Sequence, residues 1–369
     1  MTNSVNDNNY FPQLDSLRAI AVILVIISHW FTHEQILNRY TSNGILGVTL
    51  FFVLSGFLIT GILMRSKQQV ESGASIRAAF KVFYIRRALR IFPVYYLLLI
   101  LLLIFNLSDI RDNFWWHFFY ASNFYFWLKE AFGGSLSHLW SLSVEEQFYI
   151  CWPAILLFSP RKYLPTILVS GIILSVLFRY QITTDQNELG RILMPGSLDS
   201  FCIGGLLAYG RLYHNKWYQQ YVKYRSLFVL FSFLLLILVH TPFFNNAGKY
   251  FYVSFYFLLI SVAFGIQIDR VADTVNTPVI SVILNNRVLL YIGKISYGVY
   301  LFHNFIPYLY SINLPSFLQP ASMYIAQAVR FVLLIGLASS SWYLFERPIL
   351  RLKDKFVFDK LPNAKLISS

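Results

Sequence analysis

The stretch Leu14–Trp30, which reads LDSLRAIAVILVIISHW, decides the fold class. It is apolar and almost long enough to cross a bilayer as a helix, yet it contains Asp15, Arg18 and His29. At 3.6 residues per turn these three side chains share one helical face, with Arg18 and His29 about 16 Å apart along the axis. One interpretation is that they are snorkelling or interfacial end residues. Because charge at membrane depth is costly and usually faces a bundle interior or a wet cavity, the shared face favours a functional role.

The composition of the whole chain extends this interpretation. The 369 residues are 57% hydrophobic, 18% aromatic and only 13% charged, and their mean hydropathy is +0.55. Soluble domains carry about twice that share of charge, so we predict an all-α polytopic integral membrane protein. A net charge of +13 would suit nucleic acid. The basic residues fall mainly between the apolar segments, however, and membrane orientation explains them without a nucleic-acid partner.

Ten apolar segments predict about ten transmembrane helices. They divide the chain into a polar N-terminal tail at 1–13, a transmembrane domain at 14–346 and a basic C-terminal tail at 347–369. The segments are 14–32, 44–64, 86–106, 139–158, 163–180, 192–213, 226–240, 250–268, 288–311 and 321–345.

The distribution of cations predicts the orientation. Placing Arg18 on the cytoplasmic side puts 22 of the 30 Lys and Arg residues there and 6 on the opposite side, so both termini are expected in the cytoplasm. The connection 107–138 then faces outward. Its run FWWHFFYASNFYFW is typical of an interfacial belt or a lid helix at the headgroups, and a sugar-stacking surface is the alternative.

Two further motifs lie in the second and third segments. FFVLSGFLI (Phe51–Ile59) places Ser55 and Gly56 where small residues let helices approach closely. IRRALRIFP (Ile85–Pro93) places Arg87 and Arg90 on one helical face, where paired donors can bind phosphate. The alternative for this pair is that it serves only the positive-inside rule.

The motif HLWSLSVEEQFY (His138–Tyr149) enters the fourth segment from the outside. It places Glu145 about 9 Å below the outer edge of the membrane, within reach of His29. A carboxylate beside His29 would fix its tautomer and stabilise its imidazolium, as general-base catalysis requires. Glu146 points about 100° away from Glu145 along the same helix.

Other titratable groups lie at similar depth. ISYGVYLFH (Ile295–His303) brings His303 close to the depth of His29. Asp199 and Arg330 are also intramembrane, and an ion pair between them is one interpretation. No metal-ligand spacing is present, and both cysteines lie inside apolar runs.

Taken together, these stretches resemble the acyltransferase 3 family of membrane-bound acyltransferases. The resemblance runs in order from about residue 12 to 350, and six motifs in the right order make it specific. The matching stretches are LDSLRAIAVILVIISH, FFVLSGFLI, RRALRIFP, HLWSLSVEEQFYICWP, SYGVYLFH and YLFERP.

The resemblance implies a multi-pass protein of the bacterial inner membrane. It implies transfer of an acyl group, commonly acetyl, from cytoplasmic acyl-CoA to a hydroxyl of a glycan, a glycolipid or a related acceptor. It implies no bound cofactor, with acetyl-CoA as a substrate, and polysaccharide assembly proteins as further partners. The implied site comprises catalytic His29 with Glu145 in support, donor-binding Arg18, Arg87 and Arg90, and supporting positions Asp15 and His303.

The acyl-transfer mechanism has two alternatives. His29 either deprotonates the acceptor hydroxyl directly or forms a transient acyl-imidazole, and the absence of an identifiable second nucleophile favours the direct route. A transporter with a proton relay is the main rival function, although the sequence shows no matching repeat of the histidine motifs. A non-catalytic scaffold would leave Arg18, His29 and Glu145 unexplained.

Overall fold

In the computed structural model, residues 11–31, 43–107, 110–183, 189–241, 248–273, 282–307 and 323–356 are described. Every regular element among them is helical, which agrees with the predicted all-α class. Turns of 3₁₀ or π type join some helices, at Arg161–Tyr163, Leu189–Ile192, Met194–Ser197, Trp342–Glu346 and Arg351–Lys355. The α-helices are α1 (Pro12–Trp30), α2 (Asn43–Glu71), α3 (Ile76–Phe105), α4 (Ile110–Phe118), α5 (Ser122–Lys129), α6 (Leu139–Phe158), α7 (Leu164–Ile182), α8 (Leu198–Tyr213), α9 (Lys216–Lys223), α10 (Arg225–Leu238), α11 (Lys249–Val271), α12 (Arg287–Lys294), α13 (Ser296–Phe302), α14 (Met323–Ser341) and α15 (Arg347–Leu350).

Six of these helical segments are long and apolar enough to span a membrane, or seven if the bent pair α9–α10 counts as one span. They support a polytopic membrane protein but not the predicted ten spans. The predicted segment 288–311 is broken into α12 and α13, of eight and seven residues, and α8 has only 16 residues. The six spans are Pro12–Trp30, Asn43–Glu71, Ile76–Phe105, Arg161–Ile182, Tyr250–Val271 and Met323–Lys355.

Helices α2 and α8 cross with their backbones close together. A Cβ atom added to Gly56 would lie 2.1 Å from the carbonyl oxygen of Phe201, and one added to Gly204 would lie 2.2 Å from that of Val53. Only glycine lets the two backbones pass at this distance, which is the role predicted for the small residues of the second segment.

Helix α1 lies in a groove between α2 and α12. On the α2 side, a Cβ atom at Gly47 would lie 2.5 Å from the carbonyl oxygen of Ala21. On the α12 side, Gly293 approaches the carbonyl oxygen of Asp15, and the Ser16 hydroxyl donates to the Leu284 carbonyl at 2.5 Å. These contacts fix the rotation of α1 about its own axis.

A buried ion pair joins α7, α8 and α11. Arg179 is fully buried, and its Nη2 donates to Asp199 Oδ2 at 2.7 Å. The same guanidinium also donates to the carbonyl oxygens of Gly196, Val253 and Ser254. The interpretation that paired Asp199 with Arg330 is therefore wrong, because Asp199 pairs with Arg179.

The aromatic connection forms two short helices, α4 and α5. Trp115, Phe119 and Leu128 are each at least 60% exposed, whereas Tyr120 and Phe126 are buried. The segment therefore presents one apolar face outward and packs the other on the bundle, as expected of an element lying at a membrane interface.

We expect Gly56→Ala to lower the thermal stability of the detergent-solubilised protein. The added methyl would meet backbone atoms that cannot move aside as a side chain can, and overpacking of this kind costs about 1–3 kcal/mol. Gly336→Ala in α14 is the matched control, because no atom lies within 4 Å of the added carbon. Alanine there should be neutral or stabilising by up to about 1 kcal/mol. Equal melting temperatures for the two variants would contradict the close crossing.

Candidate active site

A cavity of about 220 Å³ lies among α1, α2, α3, α6 and α13. The α2 face that lines it runs from Val48 to Ile62, which is about 20 Å along a helix axis. The cavity is therefore elongated, with charged groups towards one end and hydroxyl groups at the other. The polar or charged lining residues are Arg18, Ser55, Arg87, Arg90, Ser141, Glu145, Glu146, Ser296, Tyr297 and Tyr300.

Three arginines from two helices meet at one end of the cavity, called here the arginine end. Arg18 forms an ion pair with Asp15 one turn earlier in α1. The Arg87 guanidinium lies over the ring of Tyr149, 3.8 Å from its centroid. Arg90 is exposed and lies within electrostatic range of both other arginines. The arginines proposed from the sequence as donor-binding residues thus form one cationic cluster that suits an anionic ligand.

Glu145 lies in the middle of the cavity and is bonded to α2. The Ser55 hydroxyl donates to its Oε1 at 2.6 Å, and the Tyr149 hydroxyl donates to Ser55 Oγ at 3.0 Å. The prediction that Glu145 would contact His29 is wrong, because depth in the membrane does not fix position around the bundle. Ser55, which the sequence indicated only as a packing residue, is a polar member of the cavity wall.

Two hydroxyls close the opposite end of the cavity, called here the hydroxyl end. Ser141 Oγ and Tyr300 Oη are 2.5 Å apart, and both lie within hydrogen-bond distance of the His138 carbonyl oxygen. Both residues are buried and line the cavity. The sequence analysis did not single them out. A usable signal is their helical spacing, since Tyr300 lies one turn before His303 and Ser141 one turn before Glu145.

Beyond the hydroxyl end lie three histidines from three different helical segments. His29 Nδ1 is 2.9 Å from His303 Nε2, and the rings of His303 and His138 have centroids 4.8 Å apart. His138 and His303 are buried, whereas His29 is exposed. The structure therefore brings His303 to His29, and adds His138, which sequence reasoning missed although it begins the motif containing Glu145.

The hydrogen bonds around His303 determine which nitrogen of His29 is free. His303 Nδ1 lies 2.6 Å from the Tyr300 carbonyl oxygen, which can only accept, so Nδ1 of the neutral ring carries the proton. His303 Nε2 is then an acceptor, and His29 Nδ1 donates to it. The neutral His29 ring consequently keeps a lone pair on Nε2. This nitrogen can accept a proton while the hydrogen bond from Nδ1 to His303 holds the ring in place.

His29 does not itself line the cavity, and the face of α1 between Arg18 and His29 does not either. Val22 and Val25 on that face are completely buried. A ligand arm in this cavity would therefore extend along α2, α6 and α13 and not along this face of α1. The ring of Tyr300 lies between the cavity and His303, with the two ring centroids 5.4 Å apart.

Within the described part of the chain, no group of three or more His, Cys, Asp or Glu side chains is arranged to hold a metal ion. The histidines are instead bonded to one another and to carbonyl oxygens. The buried side of the cluster is completed by Asn304, whose Nδ2 lies 3.2 Å from His138 Nδ1, and by the indole of Trp30, which donates to the His303 carbonyl at 3.0 Å.

Comparison with known proteins adds a family and several relatives. The family model described as "Acyltransferase domain" matches residues 11–346. The peptidoglycan O-acetyltransferase OatA of Listeria monocytogenes is 30% identical over 80% of this chain and 49% of its own length. YrhL of Bacillus subtilis, provisionally named a peptidoglycan O-acetyltransferase, is 29% identical over 95% of this chain and 56% of its own.

A Staphylococcus aureus protein, SACOL0978, provisionally named an O-acetyltransferase, is 33% identical over 80% of this chain and 50% of its own. The chain thus spans about half the length of the curated relatives it matches. No solved structure matches the chain significantly.

We expect diethyl pyrocarbonate to modify His29 in the folded protein well before His303 or His138. The reagent requires an accessible, unprotonated imidazole nitrogen, which the hydrogen bonds and the exposure assign to Nε2 of His29. Peptide mass spectrometry of the protein in detergent measures this selectivity, and protein unfolded before treatment provides the control in which all three react. Equal modification of His29 and His303 in the folded state would contradict the assigned arrangement.

Proposed function

Because the chain belongs to the acyltransferase 3 family of membrane-bound acyltransferases, we propose that it transfers an acyl group from acyl-CoA to a hydroxyl acceptor at His29. The single observation that carries the proposal is the cavity itself, which joins a cluster of three arginines to the hydroxyl end beside the histidines. The names of the relatives support acetyl as the acyl group.

The donor is proposed to enter with its phosphates at the arginine end. Guanidinium groups bind phosphate through paired, charge-assisted hydrogen bonds, and Arg90 is exposed to receive them. Arg18 and Arg87 are already held by Asp15 and Tyr149, so they contribute charge from fixed positions. An arm extended along the α2 face would place the thioester near Ser141 and Tyr300.

His29 is proposed as the general base for direct transfer. Its Nε2 takes the proton of the acceptor hydroxyl while the hydroxyl oxygen bonds to the thioester carbon. The carbon–sulfur bond then breaks, and the proton passes to the leaving thiolate. His303 Nε2 accepts a hydrogen bond from His29 Nδ1 throughout the step, so the His29 imidazolium keeps this hydrogen bond. An acyl-imidazole on the same Nε2 is the alternative.

Glu145 is proposed to act on the donor side of this site. Its hydrogen bond to Ser55 and its closeness to Arg87 orient the wall past which the donor extends. It has no contact with His29, so its support of the reaction is indirect. Asp15 has a comparable role, because it holds Arg18.

The acceptor is proposed to be a glycan or glycolipid hydroxyl, with peptidoglycan as the candidate that the names of the relatives suggest. The histidines lie beyond the hydroxyl end, where such an acceptor would approach from outside the cavity. Polysaccharide assembly proteins are proposed as further partners that handle the final glycan.

The proposed setting is the bacterial inner membrane, with about ten membrane-embedded segments at 14–346 and both tails in the cytoplasm. The cation asymmetry supports this orientation. It places the arginine end towards the cytoplasm, where acyl-CoA is made, and the histidines towards the outside.

The orientation predicts the labelling of single cysteines by a membrane-impermeant maleimide. In a background without Cys151 and Cys202, Tyr125→Cys should be labelled in intact cells, and Lys360→Cys only after the cells are permeabilised. The reverse pattern would mean that the arginine end faces outward, away from cytoplasmic acyl-CoA.

His29→Ala should abolish acetyl transfer from labelled acetyl-CoA to membrane glycan. Loss of a general base lowers the rate about 10²–10⁴-fold, whereas loss of an exposed side chain should leave the melting temperature nearly unchanged. His240→Ala is the control, since His240 bonds to Leu236 and Tyr256 away from the cavity. Retained transfer in His29→Ala would remove His29 from the mechanism, and a wild-type protein that leaves acetyl-CoA unconsumed would favour a transporter.

A further inference from the structure

The carboxyl group of Glu146 lies in the cavity wall, and the mechanism above gives it no role. Its side chain is buried, with 5% of the residue exposed, and it lines the cavity. Its Oε1 is buried and has no hydrogen-bond partner in the structure. Buried polar atoms are nearly always bonded, so an orphaned carboxyl oxygen beside a cavity indicates a group that a bound molecule would supply.

The neighbours of Glu146 on α6 do not share this property. Glu145 accepts from Ser55, and the Gln147 amide bonds to Asn123 and to the Tyr120 carbonyl. Arg87 is close enough to interact electrostatically with Glu146, yet its own Nε is also without a partner. Among Glu145, Glu146 and Gln147, the buried side-chain oxygen that remains without a hydrogen-bond donor is therefore Oε1 of Glu146.

The position of Glu146 along α6 indicates which part of a ligand it would meet. Tyr149, under Arg87, lies three residues further along the helix, or about 4.5 Å. Ser141, at the hydroxyl end, lies five residues earlier, or about 7.5 Å. A molecule with phosphates at the arginines and a thioester at Ser141 passes Glu146 with the segment between the two.

We propose that Glu146 binds the amide-bearing arm that joins the phosphates of acyl-CoA to its thioester, by accepting a hydrogen bond from an amide N–H. This inference rests on the proposed function and adds a donor contact that is independent of the phosphates. The arm contains two secondary amides, and the spare carboxyl oxygen in the cavity wall can accept a hydrogen bond from one of their N–H groups. Filling that acceptor removes the penalty of an unsatisfied buried oxygen, so the contact contributes to affinity.

The test compares two ligands that differ only at the phosphate end. The dissociation constants of acetyl-CoA and of acetyl-pantetheine, which lacks the phosphates and the nucleotide, are measured on the purified protein in nanodiscs. Glu146→Leu removes the acceptor, Glu146→Gln keeps an amide oxygen in its place, and Arg90→Ala removes a cation at the arginine end.

For Glu146→Leu we expect weaker binding of both ligands, by about 10- to 100-fold, the loss expected for one hydrogen bond to a charged group. Glu146→Gln should bind both ligands within several-fold of the wild type. Arg90→Ala should weaken the binding of acetyl-CoA by a similar factor and leave the binding of acetyl-pantetheine unchanged. Melting temperatures of the unliganded variants show whether each one is folded.

Two results would overturn the inference. One is wild-type affinity of folded Glu146→Leu for acetyl-pantetheine. The other is a defect confined to acetyl-CoA, which would assign Glu146 to the phosphate end. If Glu146→Leu does not fold, the affinity of Glu146→Gln for acetyl-pantetheine decides. A loss of affinity as large as that of Arg90→Ala for acetyl-CoA would contradict the proposed contact. Binding is measured separately from turnover. Failure of acyl transfer would therefore refute the proposed function, and the binding results for the Glu146 variants could still be interpreted.

Discussion

The backbone crossing of α2 and α8 is the constraint on which the site depends. Gly56 and Gly204 allow two helices to touch at main-chain distance, and this contact fixes the rotation of α2. Ser55 is one position from Gly56 and so points about 100° away from α8, into the cavity. The cavity face of α2 is thus determined by the contact that the neighbouring face of the same helix makes with α8. A side chain at the crossing would displace the helix and turn Ser55 away from Glu145.

The site separates two kinds of chemistry along one axis. Permanent charge is concentrated at the arginine end, where Arg90 lies near Arg18 and Arg87. The opposite end contains neutral hydroxyls and, beyond them, imidazoles bonded in series from His303 to His29. A ligand with an anionic head and a neutral reactive tail can match both ends in one orientation only. The polarity of the cavity therefore specifies direction as well as affinity.

Sequence reasoning predicted much of this arrangement, and its errors share one cause. The all-helical class, the shared helical face of Arg87 and Arg90, and the similar depth of His303 and His29 follow from helical periodicity and hydropathy. The family resemblance grouped these two arginines with Arg18. Depth does not give the angular position of a helix in the bundle, however. For that reason Glu145 was expected beside His29, and Asp199 was paired with the wrong arginine. The break at Ile295 that shortens the predicted ninth span was also not visible in the apolar run.

The contact between His29 and His303 joins residues 274 positions apart in the chain. At synthesis rates of about 5–20 residues per second, the first helix is inserted roughly 15–55 s before its partner has been made. During that interval its charged residues have no partner from the C-terminal half. The ion pair between Asp15 and Arg18 needs only the first helix, since it spans one turn. A local pair of this kind lets a helix containing charged residues remain in the bilayer until the rest of the protein has been synthesised.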